Sequence, residues 1–314
     1  MIDWRLVLWT AVFGLLVLYG LVALLSHKAR TPLPSESLYE TNGPSKGKKQ
    51  HNVEFTEPVE LSVVIPCYNE RERLGIMLDE CVPYLEDRYG KDYELVLVDD
   101  GSNDGTKEYA LEYADEHGLM PGIMRVFTLE HNRGKGGAVT HGMKFSRGRY
   151  ALFADADGAS KFTDIEKLFA ALKKYEQKER GAVAVGSRAY LVNTEAVVKR
   201  SFIRNFLMRC LHLLVWLFGV KRIKDTQCGF KLFNRRAVDA IFPYMHTERW
   251  IFDVEVLMIA FKKQFAVEEV SISWHEVSGS KIDIAWDSIN MAIDLVVMRL
   301  AFIMGIYNAQ KKSH

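Results

Sequence analysis

The amino-acid sequence predicts an α/β protein with a mostly parallel sheet, carried on an N-terminal helix that is long enough to cross a membrane. Two observations support this fold class. From residue 61 onward, short apolar runs alternate with amphipathic stretches of helical period, which is the pattern of a parallel sheet covered by helices. Near the amino terminus, residues 6–25 are almost entirely apolar, and a run of about 20 such residues spans a bilayer.

The apolar run at 6–25 predicts a retained membrane anchor. A cleaved signal peptide is the alternative, but its apolar region covers only about 7 to 15 residues. Positive flanks stay on the cytoplasmic side, so we expect a single pass with the following domain in the cytosol, which in a eukaryote indicates the endoplasmic reticulum membrane. Only Arg5 and the terminal amine precede the run, whereas five basic residues follow it: Lys28, Arg30, Lys46, Lys48 and Lys49.

The composition excludes some classes of function. The 41 Lys and Arg residues are balanced by 40 Asp and Glu residues, so no overall basic field recruits nucleic acid. The four cysteines, Cys67, Cys81, Cys210 and Cys228, match neither a redox pair nor a zinc pattern. We interpret them as reduced packing residues of a cytosolic domain.

The pattern along the chain predicts four parts. Two amphipathic stretches, 200–220 and 285–307, each predict either a helix in the membrane interface or a core or oligomer helix. The sequence leaves homo-oligomerisation open. The predicted parts are a transmembrane anchor at 1–27, a cytosolic linker at 28–58, the α/β domain at 59–280, and a C-terminal amphipathic helix with its tail at 281–314.

Buried strands and one surface helix can be placed within the domain. A stripe of Leu74, Leu78, Cys81 and Leu85 has the spacing of a helix laid on a sheet. In parallel sheets, ligands bind beyond the carboxyl ends of the strands, so polar residues directly after the strands are candidates for function. The predicted strands are 61–65, 94–98, 125–129, 150–154 and 182–185.

Polar residues follow the first two predicted strands. A carboxylate at a strand end accepts hydrogen bonds from a ribose or a base, and an aromatic ring covers the base face, so this edge predicts a nucleoside site. The alternative is that the Asp-Gly pairs are only turn residues and Asp104 is a helix cap. The candidate residues are Pro66, Tyr68, Asn69, Glu70, Asp99, Asp100, Ser102 and Asp104.

A glycine-rich loop, residues 132–137, follows the third predicted strand. Its glycines permit close approach of the backbone, and Arg133 and Lys135 flank it at a helix start, which favours a diphosphate. The loop lacks the Walker spacing that ends in Gly-Lys-Ser or Gly-Lys-Thr, so the sequence does not predict an ATPase.

Two carboxylates, Asp155 and Asp157, lie one residue apart at the exit of the fourth predicted strand. Successive side chains of a strand point to opposite faces, so both reach one ion only where the chain bends away. Hard oxygen ligands suit Mg²⁺ or Mn²⁺, and such a cation neutralises charge on a departing nucleoside diphosphate. An isolated acidic turn would be merely solvated, but a pair beside a nucleotide loop predicts a metal site.

These motifs resemble those of the inverting family 2 glycosyltransferases, which have one nucleotide-sugar-binding α/β domain of the GT-A type. The resemblance lies in Pro-Cys-Tyr-Asn-Glu at 66–70, Val-Asp-Asp-Gly-Ser at 98–102, Asn-Arg-Gly-Lys-Gly at 132–136 and Asp-Ala-Asp at 155–157. Three later segments are similar to those of the dolichyl-phosphate β-glucosyltransferases: Gly-Ser-Arg at 186–188, Asp-Thr-Gln-Cys-Gly-Phe-Lys at 225–231 and Arg-Trp-Ile-Phe-Asp-Val-Glu at 249–255. With the anchor, the resemblance covers nearly the whole chain.

The resemblance implies a role for individual residues. Related dolichyl-phosphate mannosyltransferases have a glutamine two residues after the second aspartate, where this chain has Ala159. His275 is a substitute to consider, although a structural histidine is several-fold more common. The implied roles are uridine binding for Asp99, a place near the diphosphate for Arg133 and Lys135, metal binding for Asp155 and Asp157, and donor binding for Gln227.

The acceptor is expected to be a phosphate monoester. Such a group needs no general base, because its second pKa is near 6 and its oxygen is already anionic. The remaining difficulty is to hold two anions together, and Arg188, Arg200 and Arg204 are predicted to do so. For the last two, snorkelling toward lipid headgroups is the alternative.

Asp253 completes the predicted catalytic set, with Asp157 and Arg188. Together with Glu255 it resembles the late acidic motif of the family, and it could orient the sugar, the arginines or an acceptor proton. The sequence does not choose between these roles.

The resemblance implies transfer of glucose from UDP-glucose to dolichyl phosphate with inversion. The product would be dolichyl β-D-glucosyl phosphate, a lipid-linked glucose donor for protein N-glycosylation, and the expected partners include the membrane lipid bilayer. A mannosyltransferase using GDP-mannose and a nucleotide-sensing membrane adaptor are the alternatives. A processive polysaccharide synthase is disfavoured, because His246 stands where the Gln-x-x-Arg-Trp motif of those enzymes has its glutamine, and because the sequence contains one convincing span.

Overall fold

The carboxyl ends of parallel strands form the edge at which the candidate residues meet. The computed structural model describes residues 3–29, 31–47, 50–51, 58–176, 180–189, 220, 222–277 and 284–308. The strands are β1 (Leu38–Glu40), β2 (Gln50–His51), β3 (Leu61–Cys67), β4 (Tyr93–Asp99), β5 (Met124–Thr128), β6 (Tyr150–Ala154), β7 (Ala182–Ser187), β8 (Phe230–Asn234) and β9 (Ala266–Ser271). The helices are α1 (Trp4–Leu25), α2 (Arg71–Tyr89), α3 (Thr106–Glu116), α4 (Lys135–Phe145), α5 (Ile165–Glu176), α6 (Arg235–Ile241), α7 (Phe252–Lys262) and α8 (Ile284–Ile303).

The described strands form one sheet in the order β2-β1-β5-β4-β3-β6-β8-β7-β9. Strands β5, β4, β3 and β6 run parallel, as do β7 and β9, whereas β8 is antiparallel to both of its neighbours. The prediction of a mostly parallel sheet is therefore confirmed. All five predicted strands appear, as β3 to β7; β8 and β9 were not predicted as strands.

Helices cover both faces of the sheet. One face packs against α2, α3 and α5, and the other against α4, α6 and α7. Strands buried on both sides read as continuous apolar runs, which is why β4 is buried along its whole length. The predicted stripe of α2 is confirmed, because Leu74, Leu78, Cys81 and Leu85 are all fully buried.

The first half of the segment predicted as a linker, 28–58, packs on the domain instead of forming a free tether. Strand β1 pairs antiparallel with β5 and so covers the edge of the parallel sheet. Polar side chains of the segment are buried: Glu36 accepts hydrogen bonds from the backbone N–H groups of Leu33 (2.9 Å) and Glu130 (3.3 Å). A polar composition indicates a tether, but here the polar groups satisfy backbone groups of the domain, so the segment is part of the fold.

Helix α1 is the described helix that is long and apolar enough to cross a membrane. Most of its side chains are exposed, but Val22 near its end is buried against the domain. Just beyond it, His27 Nε2 lies 3.1 Å from Asp294 Oδ1 of α8. The end of the apolar helix is therefore attached to the C-terminal helix.

Helix α8 is amphipathic, as predicted. Met291, Leu295 and Met298 are buried in the core, whereas Trp286, Ile289 and Ile293 are half or more exposed. One face thus serves as a core helix, and the other leaves an apolar stripe uncovered. The other predicted amphipathic stretch, 200–220, lies outside the described residues except for Val220, which is buried.

Candidate active site

The turns after β3 and β4 are joined by hydrogen bonds. Asn69, in the left-handed region at φ 52°, donates its backbone N–H to Ser102 Oγ (2.9 Å) and accepts the backbone N–H of Asn103 at its side-chain oxygen (2.9 Å). Ser102 N in turn donates to Asp99 Oδ1 (3.0 Å). The structure therefore brings the first two candidate clusters together. Tyr68 lies on this edge with its ring partly exposed, so the ring is accessible to a base.

The two neighbouring aspartates differ in what they bind. Burial raises the pKa of the Asp99 carboxyl, although the Ser102 hydrogen bonds oppose the change. Asp100 accepts the backbone N–H groups of Arg133 (2.7 Å) and Gly134 (2.8 Å), one on each oxygen. Burial raises the pKa of Asp100 to about 7 even though these donors lower it. Asp100 therefore anchors the glycine-rich loop.

Two other candidates are engaged in structural contacts. Glu70 forms a two-pronged ion pair with Arg73, at 2.8 and 2.7 Å. Asp104 accepts the backbone N–H groups of Arg71 (3.2 Å) and Thr106 (3.0 Å), at the starts of α2 and α3. The helix-cap alternative thus describes the Asp104 contacts, while donor binding by these two side chains stays a prediction.

The glycines of the 132–137 loop allow another segment of the chain to pack closely against the loop. A Cβ on Gly136 would lie 2.5 Å from the Cβ of Phe252 and 2.8 Å from the carbonyl oxygen of Arg249. Gly137 N donates to the carbonyl of Glu248 (2.8 Å). The close approach inferred from the glycines is therefore made by residues 248–252.

The two cations of the loop face different partners. Arg133 is nearly buried and pairs with Glu248. Lys135 Nζ lies 2.6 Å from Asp155 Oδ1; burial opposes the charged ammonium, but Asp155 and Asp253 together raise the pKa of Lys135. Lys135 thus points to the predicted metal site, whereas the diphosphate role of Arg133 stays a prediction.

Strand β8 positions the acidic pair. The backbone N–H of Asp155 donates to Gly229 O (3.0 Å), and a Cβ on Gly229 would lie 1.9 Å from Asp155 Oδ2. A side chain at position 229 would therefore force this carboxylate to move. Asp157 Oδ1 accepts the backbone N–H of Ala159 (3.0 Å), so the chain turns away directly after the strand, as the metal prediction requires.

The acidic pair is a partial ligand set. Within the described part of the chain, no group of three or more His, Cys, Asp and Glu side chains is placed to hold one ion. The partner of Asp155 Oδ1 is the Lys135 ammonium, at 2.6 Å, so a positive charge is stabilised at this point. Two hard carboxylates beside a bound cationic group fit Mg²⁺ or Mn²⁺, with water or ligand oxygens completing the shell.

His275 lies near this turn. Its backbone N–H donates to the carbonyl of Ala159 (3.0 Å), and its side chain is exposed. The bridge between Ser160 and Trp274 holds the same two segments together. The fold therefore brings His275 beside the position where the related enzymes have their glutamine.

Arg188, at the end of β7, is fixed by Asp225. Its Nε and Nη2 donate to the two oxygens of Asp225 at 2.7 and 2.9 Å, and its guanidinium lies 5.6 Å from the ring centroid of Trp274. Burial opposes ionisation of Asp225, but Arg188 lowers the pKa of that carboxyl below its usual value. The other predicted acceptor residues, Arg200 and Arg204, lie outside the described residues.

Asp253 and Glu255 are buried, and both accept hydrogen bonds from neighbouring groups of the protein. Asp253 Oδ1 lies 2.5 Å from Lys231 Nζ, which also donates to Cys228 O (2.6 Å). Burial raises the pKa of Asp253, while Lys231 and Lys135 oppose the change. Glu255 accepts hydrogen bonds from the backbone of residues 246–247, so it holds the segment that packs on the glycine-rich loop.

Sequence reasoning missed three partners of the site, namely Asp225, Lys231 and Glu248. A buried lysine requires an acidic partner, and Lys231 lies between the apolar residues Phe230 and Leu232, so its pairing was open to prediction. Nothing in the sequence marks Glu248 or Asp225 as the partner of a particular arginine. Gln227 Nε2 lies 4.0 Å from Met291 Sδ of α8, so that amide is placed between the site and the C-terminal helix.

Comparison with protein families gives a match over most of the domain. Residues 62–242 match glycosyl transferase family 2. The chain is 50% identical to a dolichyl-phosphate beta-glucosyltransferase of Saccharomyces cerevisiae, covering 96% of each chain. It is 46% identical to the Drosophila melanogaster protein of that name, covering 83% of this chain and 82% of the relative, and 40% identical to that of Homo sapiens, covering 93% and 92%.

Solved structures share the fold at low sequence identity. Glucosyl-3-phosphoglycerate synthase from Mycobacterium tuberculosis, in complex with Mn²⁺, UDP-glucose and glycerol 3-phosphate, superimposes with a TM-score of 0.53 at 16% identity. The match covers 77% of this chain and 80% of the synthase. The same synthase with Mg²⁺ and UDP also gives a TM-score of 0.53, covering 77% and 79% at 16% identity.

Proposed function

The chain belongs to glycosyl transferase family 2 and, within it, to the dolichyl-phosphate beta-glucosyltransferases, and from this premise we propose that it transfers glucose from UDP-glucose to dolichyl phosphate. The product is dolichyl β-D-glucosyl phosphate, a lipid-linked glucose donor for protein N-glycosylation. The observation that carries the proposal is the 50% identity with the yeast enzyme along 96% of both chains.

The donor lies along the carboxyl edge of β3, β4 and β6. The uridine contacts the hydrogen-bonded turns around Asp99 and Ser102, where the exposed ring of Tyr68 covers the base. The diphosphate extends toward the acidic pair, within reach of Lys135. Support for this placement comes from the joined turns and from the convergence of Lys135 and Asp155 at 2.6 Å.

Asp155 and Asp157 hold Mg²⁺ or Mn²⁺ in the loaded enzyme. When bound, such a cation neutralises charge on the departing UDP. The structurally similar synthase has been crystallised with Mn²⁺ and UDP-glucose and with Mg²⁺ and UDP. His275 is available as a further ligand, because its backbone is bonded to the turn that follows Asp157.

The reaction is a direct displacement at the anomeric carbon of glucose. An oxygen of the lipid phosphate forms the new bond to this carbon while the bond to the UDP oxygen breaks, so the configuration inverts and UDP leaves with the electron pair. The acceptor oxygen is already anionic near neutral pH, and no protein nucleophile or general base is required. What the protein must supply is positive charge that holds two anions close together.

Arg188 provides part of that charge at the acceptor side. Its two hydrogen bonds to Asp225 fix the guanidinium at the end of β7, and preorganised donors are the most effective stabilisers of developing negative charge. Arg200 and Arg204, which lie outside the described residues, are proposed from the sequence alone to bind the acceptor phosphate as well. Asp253 is buried beneath this site. It orients Lys231 through their ion pair, and its charge helps to raise the pKa of Lys135.

The enzyme is a single-pass protein of the endoplasmic reticulum membrane, and its catalytic domain faces the cytosol. Helix α1 supplies the span, and the basic residues that follow it support the orientation. The attachment of α1 to α8 through His27 and Asp294 keeps the catalytic edge near the membrane that carries the acceptor.

Transfer by the purified, detergent-solubilised protein tests the proposal. Dolichyl phosphate is supplied with UDP-glucose, GDP-mannose or UDP-N-acetylglucosamine, in the presence of Mg²⁺, Mn²⁺ or a chelator. We expect transfer from UDP-glucose alone, abolished by the chelator. Transfer from GDP-mannose would move the protein to the mannosyltransferases, and nucleotide binding without transfer from any donor would favour an adaptor.

A further inference from the structure

The ion pair between Lys135 and Asp155 joins the two parts of the site that should receive ligands of opposite charge. Lys135 begins α4 directly after the glycine-rich loop, and Asp155 follows β6. Their side chains meet at 2.6 Å, in an ion pair between Lys135 Nζ and Asp155 Oδ1. A cationic side chain therefore occupies the position next to a carboxylate that is proposed to bind a metal ion.

The surroundings of Lys135 stabilise its ammonium group in this position. Nζ lies 5.4 Å from the ring centroid of Phe153 and 5.9 Å from that of Trp250, at distances where an aromatic face attracts a cation. Asp253 adds a second negative charge nearby. The lysine is therefore held by attractive contacts, although its side chain keeps about a fifth of its surface exposed, at 21%.

Neighbouring cations of the site are engaged elsewhere. Arg133 pairs with Glu248, Lys231 with Asp253, and Arg188 with Asp225. None of these three acidic partners, Glu248, Asp253 and Asp225, is a predicted metal ligand. Lys135 differs from them, because its partner belongs to the acidic pair.

An ammonium and a divalent cation repel each other if both lie against one carboxylate oxygen. The lysine stem has four flexible carbons, so Nζ can move by several Å without a change in the backbone. The diphosphate of a nucleotide, arriving at the glycine-rich loop, offers an alternative anionic partner. The cation and the nucleotide would then each bind more tightly when the other is present.

We propose that Lys135 is the resident counter-ion of Asp155 in the ligand-free protein and that it exchanges this carboxylate for the donor diphosphate as the divalent cation binds. The inference rests on the proposed function, since it takes the nucleoside diphosphate and the cation from there. Its consequence is that cation binding depends on nucleotide: the cation binds weakly alone, because it must displace Lys135, and tightly with UDP, which draws the lysine away.

Mn²⁺ binding to the full-length, detergent-solubilised protein tests this exchange without any turnover. Free Mn²⁺ is measured by electron paramagnetic resonance, with and without saturating UDP. In the wild type, UDP should raise Mn²⁺ affinity by about tenfold or more. Lys135→Met keeps the apolar stem on Phe153 and Trp250 but removes the charge, so it should bind Mn²⁺ alone about tenfold more tightly than the wild type and show a smaller gain from UDP.

Three further variants make the result specific. Lys135→Gln is a second neutral substitution, in case the methionine variant does not fold. Like Lys135→Met, it should bind Mn²⁺ alone more tightly than the wild type. Lys135→Arg retains the charge and should bind Mn²⁺ alone as weakly as the wild type. Lys144→Gln removes a positive charge from the other end of the same helix and should leave both affinities unchanged.

The outcomes separate this inference from the proposed function. If folded Lys135→Met and Lys135→Gln bind Mn²⁺ alone no more tightly than the wild type, the exchange is wrong while the glucosyltransferase remains. If the wild type binds no Mn²⁺ even with UDP, the cation of the proposed function fails, and the exchange fails with it.

Discussion

The three aspartates Asp99, Asp100 and Asp155 lie at the same edge of the sheet but have different hydrogen-bond or ion-pair partners, and these partners determine the role of each. Asp99 accepts from a serine in its own turn, Asp100 accepts two backbone N–H groups of the glycine-rich loop, and Asp155 faces an ammonium. Asp99 ends β4, Asp100 follows it and Asp155 follows β6, so the sequence places all three correctly at the edge. It cannot say which carboxylate already has a partner, because the donors other than Ser102 come from other segments, 20 residues away for Asp155 and 33 or 34 residues away for Asp100.

Gly229 is predicted to control the acidic pair. In Gly229→Ala, the new Cβ would start 1.9 Å from Asp155 Oδ2, so the carboxylate must turn away from its position. We expect Mn²⁺ affinity in the presence of UDP, and glucose transfer, to fall together by about 10- to 100-fold, as for other changes around metal ligands. Gly14→Ala is the control, since a Cβ there meets no atom within 4 Å. An active Gly229→Ala variant with unchanged Mn²⁺ binding would contradict the placement.

Arg188 is predicted to act on the acceptor phosphate. Arg188→Ala should lower turnover by about 100-fold, with a smaller effect on UDP-glucose binding measured by calorimetry. The single variant also leaves Asp225 buried without its partner, which by itself destabilises a fold. In Arg188→Ala with Asp225→Asn, the buried charge is removed as well, so thermal stability should recover while turnover stays low. Equal loss of turnover and UDP-glucose binding in the double variant would remove the acceptor role.

At the scale of elements, α8 joins the domain to the proposed membrane anchor. Its exposed residues Trp286, Ile289 and Ile293 lie at spacings of three and four, on one side of the helix. On the same helix, Asp294 binds His27 at the end of α1. Because α1 would leave the bilayer at this point, the exposed stripe is at the right level to lie among lipid headgroups.

A nitroxide at residue 293 tests that position. Ile293→Cys, labelled in a Cys210→Ser background and placed in nanodiscs, should be more accessible to dissolved oxygen than to a water-soluble nickel reagent. Asp87→Cys, on an exposed site of α2, should show the opposite order. An Ile293 label with the accessibility of the α2 label would mean that the stripe faces water, and loss of accessibility to both reagents on concentration would indicate a protein partner.

The segment before the domain shows how a polar stretch becomes part of an element. Its composition indicates a tether, yet β1 pairs with β5 and Asn42 Nδ2 donates to Leu119 O at 2.6 Å. Composition reports how a segment interacts with water, and it carries little information about an uncovered strand edge elsewhere in the chain. The boundary between linker and domain therefore could not be predicted from the residues alone.

At the scale of the whole molecule, stability should depend on pH through His141. This histidine of α4 is buried, with Nε2 lying 2.9 Å from the carbonyl oxygen of Glu36, and burial lowers its pKa to about 4. In the unfolded chain the pKa is near 6.5, so the unfolded state takes up a proton first as the pH falls. The stabilising contribution is complete above pH 6.5 and is lost between about pH 6.5 and 4.

The loss amounts to at most about 1.4 kcal/mol for each pH unit, and it can be followed as the unfolding temperature of the solubilised protein. His141→Gln keeps an amide donor for Glu36 but cannot titrate, so its unfolding temperature should fall less steeply with acid. Burial raises the pKa of Asp100 to about 7, which makes its own contribution decline as the pH rises to 7. The contribution of His141 is therefore the difference between the unfolding temperatures of the wild type and His141→Gln at each pH. His131→Gln, at an exposed position, is the control. Parallel curves for wild type and His141→Gln would contradict the assignment.

The sequence by itself determined the features that depend on neighbouring residues. These include the apolar length of α1, the buried stripe of α2, the continuous apolar strands of the parallel sheet, and the presence of acidic and glycine-rich turns after those strands. Period and apolar length are local properties of a chain, and they follow from burial on one face or on both.

Only the tertiary structure decided which groups meet. The antiparallel strand β8 lies between β6 and β7, which brings Gly229 against Asp155, and the position of α7 places Asp253 against Lys231 of β8. Likewise, the packing of residues 248–252 on the glycine-rich loop assigns Arg133 to Glu248 and leaves Lys135 for Asp155. Such pairs join segments up to about a hundred residues apart, and their geometry depends on strand order and loop packing rather than on any local pattern.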